Sequence, residues 1–209
     1  MSQINVMLAD NNYYWLKKII DFLNKEKDIF IVGTTENMND TLKVADIANP
    51  DIVLIALNLN DIKFEGAYTA AILNRRNLAK VIILSPSFED EAIIKSFSAG
   101  ATNCILMNDF DGILKAIRDC YNSITPMEVL LKDYLKLKEN EFLNKLSRAE
   151  KEVFELIEAG YTKDQIMKRL YKSESTVKNQ INHILKKLNA SNCKEAISYV
   201  RMRGIMKVL

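Results

Sequence analysis

Five apolar, strand-like runs in the first half of the chain constrain its fold most, because they alternate with segments of helical length and period. The runs occupy residues 4–9, 29–34, 51–57, 80–85 and 102–107. Between them, apolar side chains recur about every 3.6 residues, as on one face of a helix. Strands that alternate with helices form a parallel sheet covered on both faces. We therefore predict a doubly wound α/β domain with a five-stranded parallel sheet over residues 1–123.

The third run, DIVLIALNLND at residues 51–61, raises a question about chemistry. Every side chain from Ile52 to Leu57 is apolar, which predicts a strand buried on both faces. Ligands of such sheets bind at the carboxyl edge of the strands. This strand ends in Ile55, Ala56 and Leu57, and none of these side chains can act as an acid, a base or a nucleophile.

Four segments carry a resemblance to a known family: LADN at 8–11, PDIVLIALN at 50–58, VIILS at 81–85 and AGATNCILM at 99–107. Over residues 3–123 the chain resembles the receiver domain of bacterial two-component response regulators. The resemblance implies a phosphoryl-transfer site at the carboxyl edge of a flavodoxin-like sheet. In that family an Asp that ends strand 3 is the nucleophile and acids after strand 1 hold Mg²⁺. A hydroxyl group and a Lys complete the site.

This chain matches the positions of that family site only in part. Asp10 and Ser85 match, but the second acid is Asn11, the nucleophile position is Ala56 and the Lys position is Met107. A methyl group cannot attack phosphorus, a neutral amide weakens a Mg²⁺ site, and Met fills the space of the Lys without its charge. The resemblance therefore implies an atypical response regulator, whose pseudo-receiver does not accept phosphate at the usual position.

Other interpretations of this edge stay open. Cys104 stands where the family usually has an aromatic residue, and Asn60 stands where a Pro often follows strand 3. Asp51 or Asp61 could be a substitute phosphoacceptor, the altered pocket could bind a small ligand, or the pocket could simply be filled. Asp51 lies at the wrong end of the strand and Asp61 lacks a partner Lys, which favours the filled pocket.

The charge of the chain is unevenly distributed. Residues 146–209 carry 13 Lys and Arg against 7 Asp and Glu, whereas residues 1–145 carry 16 against 20. The C-terminal part therefore has a balance of +6 within a net charge of +2. Such asymmetry is typical of a segment that faces an anion such as nucleic acid.

Cysteine spacing and hydropathy argue against several other classes of protein. Cys104, Cys120 and Cys193 lie far apart without the spacing of a metal site, and we predict no disulfide, no metal and no cofactor. No apolar run approaches the roughly 20 residues of a membrane span, and the start lacks the order of a signal peptide. We expect a cytoplasmic protein without membrane contact.

Residues 124–145 are expected to form a helical linker. Thr125 can cap a helix, Pro126 suits its first position, and Glu128 completes a capping box. Leucines among charged and amide residues predict a helix to about Lys138, followed by a short polar tether to residue 145.

Residues 146–209 contain four helical segments, and the pattern is typical of an all-α helix-turn-helix domain. Ser147 and Thr162 each open a capping box, and Ser173 caps the longest helix. One stripe of this helix is apolar and consists of Val177, Ile181, Ile184, Leu185 and Leu188. The other face carries Lys178, Asn179, Asn182 and Lys186. These side chains suit DNA, and a helical bundle with a solvated face is the alternative.

Three motifs in this part resemble the LuxR-type helix-turn-helix: LSRAEKEVF at 146–154, SESTVK at 173–178 and ILKKL at 184–188. Together with the receiver, they identify the chain as a member of the NarL/FixJ family of response regulators. Gln180 stands at a position where the family commonly has His, and it is also able to form hydrogen bonds. His183, the only histidine, is expected to be a surface or phosphate contact.

The resemblance also implies the roles of the exposed residues. Lys178, Asn179 and Asn182 are expected to contact base edges, and Thr176 and Lys186 to contact phosphates. This agrees with the chemistry of these side chains, because amides and ammonium groups read bases while hydroxyl and Lys side chains position a protein on the backbone.

We expect a sequence-specific transcription regulator, not an enzyme, that binds double-stranded DNA as a homodimer without aspartyl phosphorylation. The last helix, at 194–206, and the apolar faces of the first and fifth receiver helices are candidate dimer surfaces. The receiver-like domain is also a candidate site for a protein partner. The alternative function is a signalling adaptor, in which that domain binds a protein partner or a small ligand.

Overall fold

The predicted alternation of strands and helices is confirmed in the computed structural model, which describes residues 3–59, 62–122 and 126–201. The first part contains β1 Ile4–Ala9, α1 Tyr13–Leu23, β2 Ile29–Thr35, α2 Met38–Ala48, β3 Ile52–Ala56, α3 Glu65–Arg75, β4 Lys80–Ser85, α4 Asp90–Ser98, β5 Asn103–Leu106 and α5 Phe110–Asn122. Polar caps begin α1 and α2, since the side chains of Asn12 and Asn37 accept backbone N–H groups of the first helical turns.

The sheet has the order β2-β1-β3-β4-β5, and all neighbouring strands run parallel. Every residue of the central strand β3 is buried, as its unbroken apolar run predicted. On one face, α1 and α5 form a core with the strands that includes Trp15, Ile19 and Ile117. On the other face, Val53 and Ile55 are also buried, where α3 contacts β3 and β4. The carboxyl ends of β1, β3, β4 and β5 therefore meet at one edge.

The linker helix α6 spans Pro126–Leu143, so the prediction that it ends near Lys138 and continues as a polar tether is wrong. The segment ENEFL at 139–143 contains neither Gly nor Pro and can continue a helix. Phe142 is buried in a core formed with the helices that follow. This burial stabilises the last turns of α6 more than sequence propensity alone would indicate.

A second compact unit begins at Tyr134, within α6. It contains α7 Arg148–Glu158, α8 Lys163–Leu170, α9 Glu174–Leu188 and α10 Cys193–Arg201. Both predicted capping boxes, at Ser147 and Thr162, are present. The tight connection from α8 to α9 passes through Tyr171, whose φ of 51° lies in the left-handed region. The buried core includes Val153, Phe154, Ile166, Val177 and Ile184.

Two predicted helix boundaries lie outside the described residues, namely the cap at Thr125 and the end of the last helix near Met206. Within the described ranges, no helix is both long and apolar enough to cross a membrane.

Candidate functional site: the sheet-edge cavity and the recognition helix

Four of the predicted pocket residues line one cavity of about 200 Å³ at the carboxyl edge of the sheet. Asp10 follows β1, Asn11 comes next in the chain, Ala56 ends β3 and Met107 follows β5. The cavity is also lined by Asn12, Leu57, Asn58 and Pro86. Ser85 does not line it, because its side chain is fully buried and its hydroxyl donates to the carbonyl oxygen of Ser87 at 2.6 Å.

Asp10 supplies the carboxyl group of this cavity and is 2% exposed. Its Oδ1 accepts the backbone N–H of Asn12 at 2.8 Å. Its Oδ2 is buried and has no hydrogen-bond partner in the part of the chain that the structure describes. Burial raises the pKa of Asp10, and the backbone N–H groups of Asn12 and Asn11 oppose that rise. Met107, at the usual Lys position, offers no cation to this acid.

The end of β3 lies in close backbone contact with the beginning of α3, and position 66 has room only for glycine. A Cβ placed on Gly66 would lie 1.8 Å from the carbonyl oxygen of Ala56, so α3 begins directly against the strand end. The N–H of Gly66 donates to the carbonyl oxygen of Leu57 at 3.0 Å. Asn58 Oδ1 accepts the N–H of Phe64 at 2.9 Å, which shapes the loop before α3. The Ala56 end of β3 is therefore packed directly against the first turn of α3.

Trp15, which sequence reasoning did not connect to the site, fixes the loop after β5. Its Nε1 donates to the carbonyl oxygen of Met107 at 2.9 Å, and its ring packs edge-on against Phe110 with a centroid distance of 6.4 Å. The side chain of Met107 is partly buried against the core of α1 and α5. The only signal in the sequence was that the single Trp lies on the apolar stripe of α1.

The residues present do not fit the Mg²⁺ that the family resemblance implies. Mg²⁺ needs several hard oxygen ligands in octahedral geometry, and among the described residues that line the cavity Asp10 is the only acid. Among the residues that the structure describes, no group of three or more His, Cys, Asp or Glu side chains could hold a metal ion. No chemical step through Mg²⁺ follows from this site.

Asp51 and Asp61 are the two candidate substitute phosphoacceptors. Asp51 lies at the opposite end of β3, where its Oδ2 accepts the backbone N–H of Asn5 at 2.8 Å. Asp61 and the neighbouring Asn60 lie outside the described residues. Cys104, at the position of the family aromatic residue, is buried. Burial raises the pKa of its thiol, and a hydrogen bond with Ser96 opposes that rise.

The LuxR-type resemblance implies that α9 is the DNA-recognition helix, and we call it the recognition helix. It separates an apolar face from a polar one, as the sequence pattern indicated. Val177, Ile184 and Leu188 are buried in the core of the second unit. The five residues expected to face DNA are all exposed, namely Thr176, Lys178, Asn179, Asn182 and Lys186. They follow the Ser173 cap, whose Oγ accepts the N–H of Thr176 at 3.3 Å. The structure thus brings these residues together on the solvent side of one helix.

An ion pair that the sequence did not reveal joins α7 to α9. Glu150 Oε2 accepts from Lys187 Nζ at 2.6 Å and from the backbone N–H of Ser147 at 2.6 Å. The same carboxylate lies 3.9 Å from Nδ1 of His183. A second pair, between Lys163 and Glu174 at 2.5 Å, joins α8 to the beginning of α9. These pairs hold the recognition helix against its two neighbours.

The residue at the family His position is less exposed than its polar neighbours. Gln180 is half-buried, and its Oε1 is enclosed without a hydrogen-bond partner in the described part of the chain. Its side-chain oxygen is therefore shielded from solvent, whereas Asn179 and Asn182 are exposed residues.

Comparison with known proteins agrees with this geometry. A family model described as response regulator receiver domain matches residues 6–118. A second model, described as bacterial regulatory proteins of the luxR family, matches residues 144–200. The chain belongs to the response regulators. This response regulator is a DNA-binding transcriptional regulator of the LuxR type, because the receiver and the helix-turn-helix occur in one chain.

Two relatives and one solved structure extend over nearly the whole response regulator. Response regulator protein VraR of Staphylococcus saprophyticus is 27% identical over 98% of this chain and 99% of its own length. Transcriptional regulatory protein DegU of Brevibacillus brevis is 25% identical over 99% of this chain and 97% of its own. RcsB of Salmonella enterica serovar Typhimurium, solved bound to a promoter, aligns over 96% of this chain and 99% of its own with 18% identity and a TM-score of 0.51.

Proposed function

We propose that this response regulator is an atypical one, which binds specific DNA and controls transcription without aspartyl phosphorylation. The observation that carries the proposal is Ala56, whose methyl group stands where the family has its nucleophilic Asp. Asn11 and Met107 on the same cavity support it, since the second acid and the cation are both absent there. Covalent phosphoryl transfer needs all these groups together.

The exposed face of α9 supports the proposed DNA interface. Lys178, Asn179 and Asn182 would read base edges in the major groove, and Thr176 and Lys186 would contact phosphates. The positive balance of residues 146–209 suits an approach to the DNA backbone. RcsB, which shares the fold, has been solved on a promoter.

The proposed organisation has a pseudo-receiver at 1–123, a helical linker at 124–145 and a DNA-binding domain at 146–209. We propose binding as a homodimer to paired half-sites, because helix-turn-helix proteins commonly bind in this way. α10 is the proposed contact in the DNA-binding domain. The pseudo-receiver would then serve dimerisation or the binding of a protein partner.

DNA binding by the unphosphorylated protein is the central test. Genomic footprinting should find specific sites, and Lys178→Ala with Asn182→Ala should weaken binding by roughly tenfold or more, because a good base contact contributes about 1–3 kcal/mol. The double variant Lys17→Ala with Asn140→Ala makes the same changes at exposed positions of other helices. It should bind like the wild type. Equal affinity and equal sequence preference in both double variants would remove the assignment of the site.

Intact-mass spectrometry tests whether the protein accepts a phosphoryl group. Incubation with acetyl phosphate and Mg²⁺ should leave the intact mass unchanged, because Ala56 offers no nucleophile. Ala56→Asp alone should not restore rapid phosphorylation, since Asn11 and Met107 remain. A stoichiometric phosphate adduct on the wild type would contradict the proposed mode of action. Rapid labelling of the Ala56→Asp variant would show that positions 11 and 107 matter less than proposed.

A further inference from the structure

The sheet-edge cavity has an acceptor group that nothing in the described chain uses. Asp10 lines the cavity, and its Oδ2 is buried without a hydrogen-bond partner among the described residues. A buried polar atom without a partner is unfavourable, and most buried polar groups in proteins are paired. We propose that this cavity binds a small organic monocation with an N–H donor, such as a primary ammonium group, which hydrogen-bonds to Asp10 Oδ2. The inference rests on the proposed phosphate-free receiver.

The charge of the cavity favours a single positive charge over Mg²⁺. One carboxylate balances one charge, and the neighbouring positions 11 and 56 offer a neutral amide and a methyl group instead of acids. Mg²⁺ dehydrates reluctantly and demands about six oxygen ligands in octahedral geometry. An ammonium group brings its own N–H donors and needs only well-placed acceptors. The cavity, which has lost two of the family's acids, therefore suits a different class of cation.

The other residues that line the cavity favour a cation with a hydrocarbon group. Ala56, Leu57, Pro86 and Met107 present apolar surface, which can cover a short hydrocarbon chain. Two of the amides are already engaged, since Asn12 Oδ1 accepts the N–H of Trp15 at 3.1 Å and Asn58 Oδ1 accepts the N–H of Phe64 at 2.9 Å. Asp10 Oδ2 is therefore the acceptor of a cavity-lining residue that is left without a hydrogen bond among the described residues.

The size and access of the cavity set the class of ligand. A volume of about 200 Å³ equals that of roughly six or seven liquid water molecules, so the occupant is a small molecule rather than a peptide segment. Asn11 and Asn12 are exposed, so the cavity can be entered from solvent. Small amines and guanidinium compounds meet all of these requirements.

The test uses the full chain with ¹³C-labelled Ala and Met methyl groups. Titration with propylammonium chloride, at ionic strength held constant with NaCl, should shift the Ala56 and Met107 methyl NMR signals in a saturable way. Asp10→Asn should weaken this titration at least tenfold, and Asp21→Asn, the same change at an exposed site on α1, should leave it unaltered. MgCl₂ and 1-propanol should not reproduce the shifts, because one lacks a fitting coordination set and the other lacks the charge.

A second variant tests the proposal independently of Asp10→Asn. Met107→Lys places an ammonium group of the chain itself at the cavity and should abolish the propylammonium titration. The proposal is overturned if the wild type shows no saturable shift, if Asp10→Asn or Met107→Lys titrates like the wild type, or if propanol acts as well as the amine. A phosphate adduct after acetyl phosphate treatment would instead contradict the proposed function, so the two failures are distinguishable.

Discussion

Replacing Lys187 with Met should destabilise the second unit, because it leaves the buried acid Glu150 without its cation. Glu150 is 4% exposed, and Lys187 donates to its Oε2 at 2.6 Å. Burial by itself would raise the pKa of Glu150, but the Lys187 ammonium and the hydrogen bonds with Ser147 outweigh burial and lower the pKa to about 2. The pair therefore stabilises the contact between α7 and the recognition helix.

The expected loss of stability depends on how deeply Glu150 and Lys187 are each buried. Removing one partner of a fully buried ion pair costs about 3–5 kcal/mol. The Lys187 side chain is 41% exposed, so water screens part of the attraction, and we expect a loss of about 2 kcal/mol in the free energy of unfolding. Glu150→Gln removes the charge but keeps an oxygen that can accept the N–H of Ser147, and it should cost about 1 kcal/mol.

The same pair predicts how acid affects the second unit. Because the pKa of Glu150 is about 2 in the folded chain and its ordinary value is 4.5, the stabilisation is fully present above pH 4.5. It is lost as the pH falls from 4.5 towards 2, since the unfolded chain binds the proton first. Glu150→Gln should lack this part of the acid dependence, and Lys187→Met should show less of it.

Two single residues allow the two units to be followed separately. His183 is the only histidine and lies on α9, whereas Trp15 is the only tryptophan and lies on α1. Urea unfolding followed by the C2 proton NMR signal of His183 reports the second unit, and Trp15 fluorescence reports the first. Lys186→Met, at an exposed neighbouring position, is the matched control and should change stability by less than about 0.5 kcal/mol. If Lys187→Met lowers the free energy of unfolding no more than Lys186→Met does, the ion pair does not stabilise the second unit as proposed.

Two further predictions concern the sheet edge, and both use Trp15 fluorescence during urea unfolding. Burial raises the pKa of Asp10, so the contribution of this carboxyl group to stability should fall as the pH rises above 3.8. Asp10→Asn should therefore be the more stable protein at pH 7. A lower stability of the variant at pH 7 would contradict this. Gly66→Ala should cost about 3 kcal/mol or more, because its Cβ would lie 1.8 Å from the Ala56 carbonyl oxygen. A near-neutral effect would show that α3 can move away from β3.

Local patterns in the sequence were sufficient to predict most of the fold. The runs that became β1 to β5 are apolar over a length that suits strands, and the caps at Ser147, Thr162 and Ser173 satisfy backbone donors within one turn. Such signals depend on neighbours in the chain, so they need no knowledge of distant contacts. The end of α6 was mispredicted because it depends on Phe142, which is buried against helices later in the chain.

The replacement of the family's reactive groups by Ala56, Asn11 and Met107 is visible from residue identity alone, because a motif position can be compared without coordinates. The environment that these replacements leave behind depends on the fold. The fold brings Asp10, Ala56 and Met107, which are far apart in the chain, to one cavity, buries Asp10 Oδ2 and turns the Ser85 hydroxyl to Ser87 instead. The burial and the hydrogen-bond partners of these side chains could not be predicted from local sequence patterns, because they arise from packing between segments that are distant in the chain.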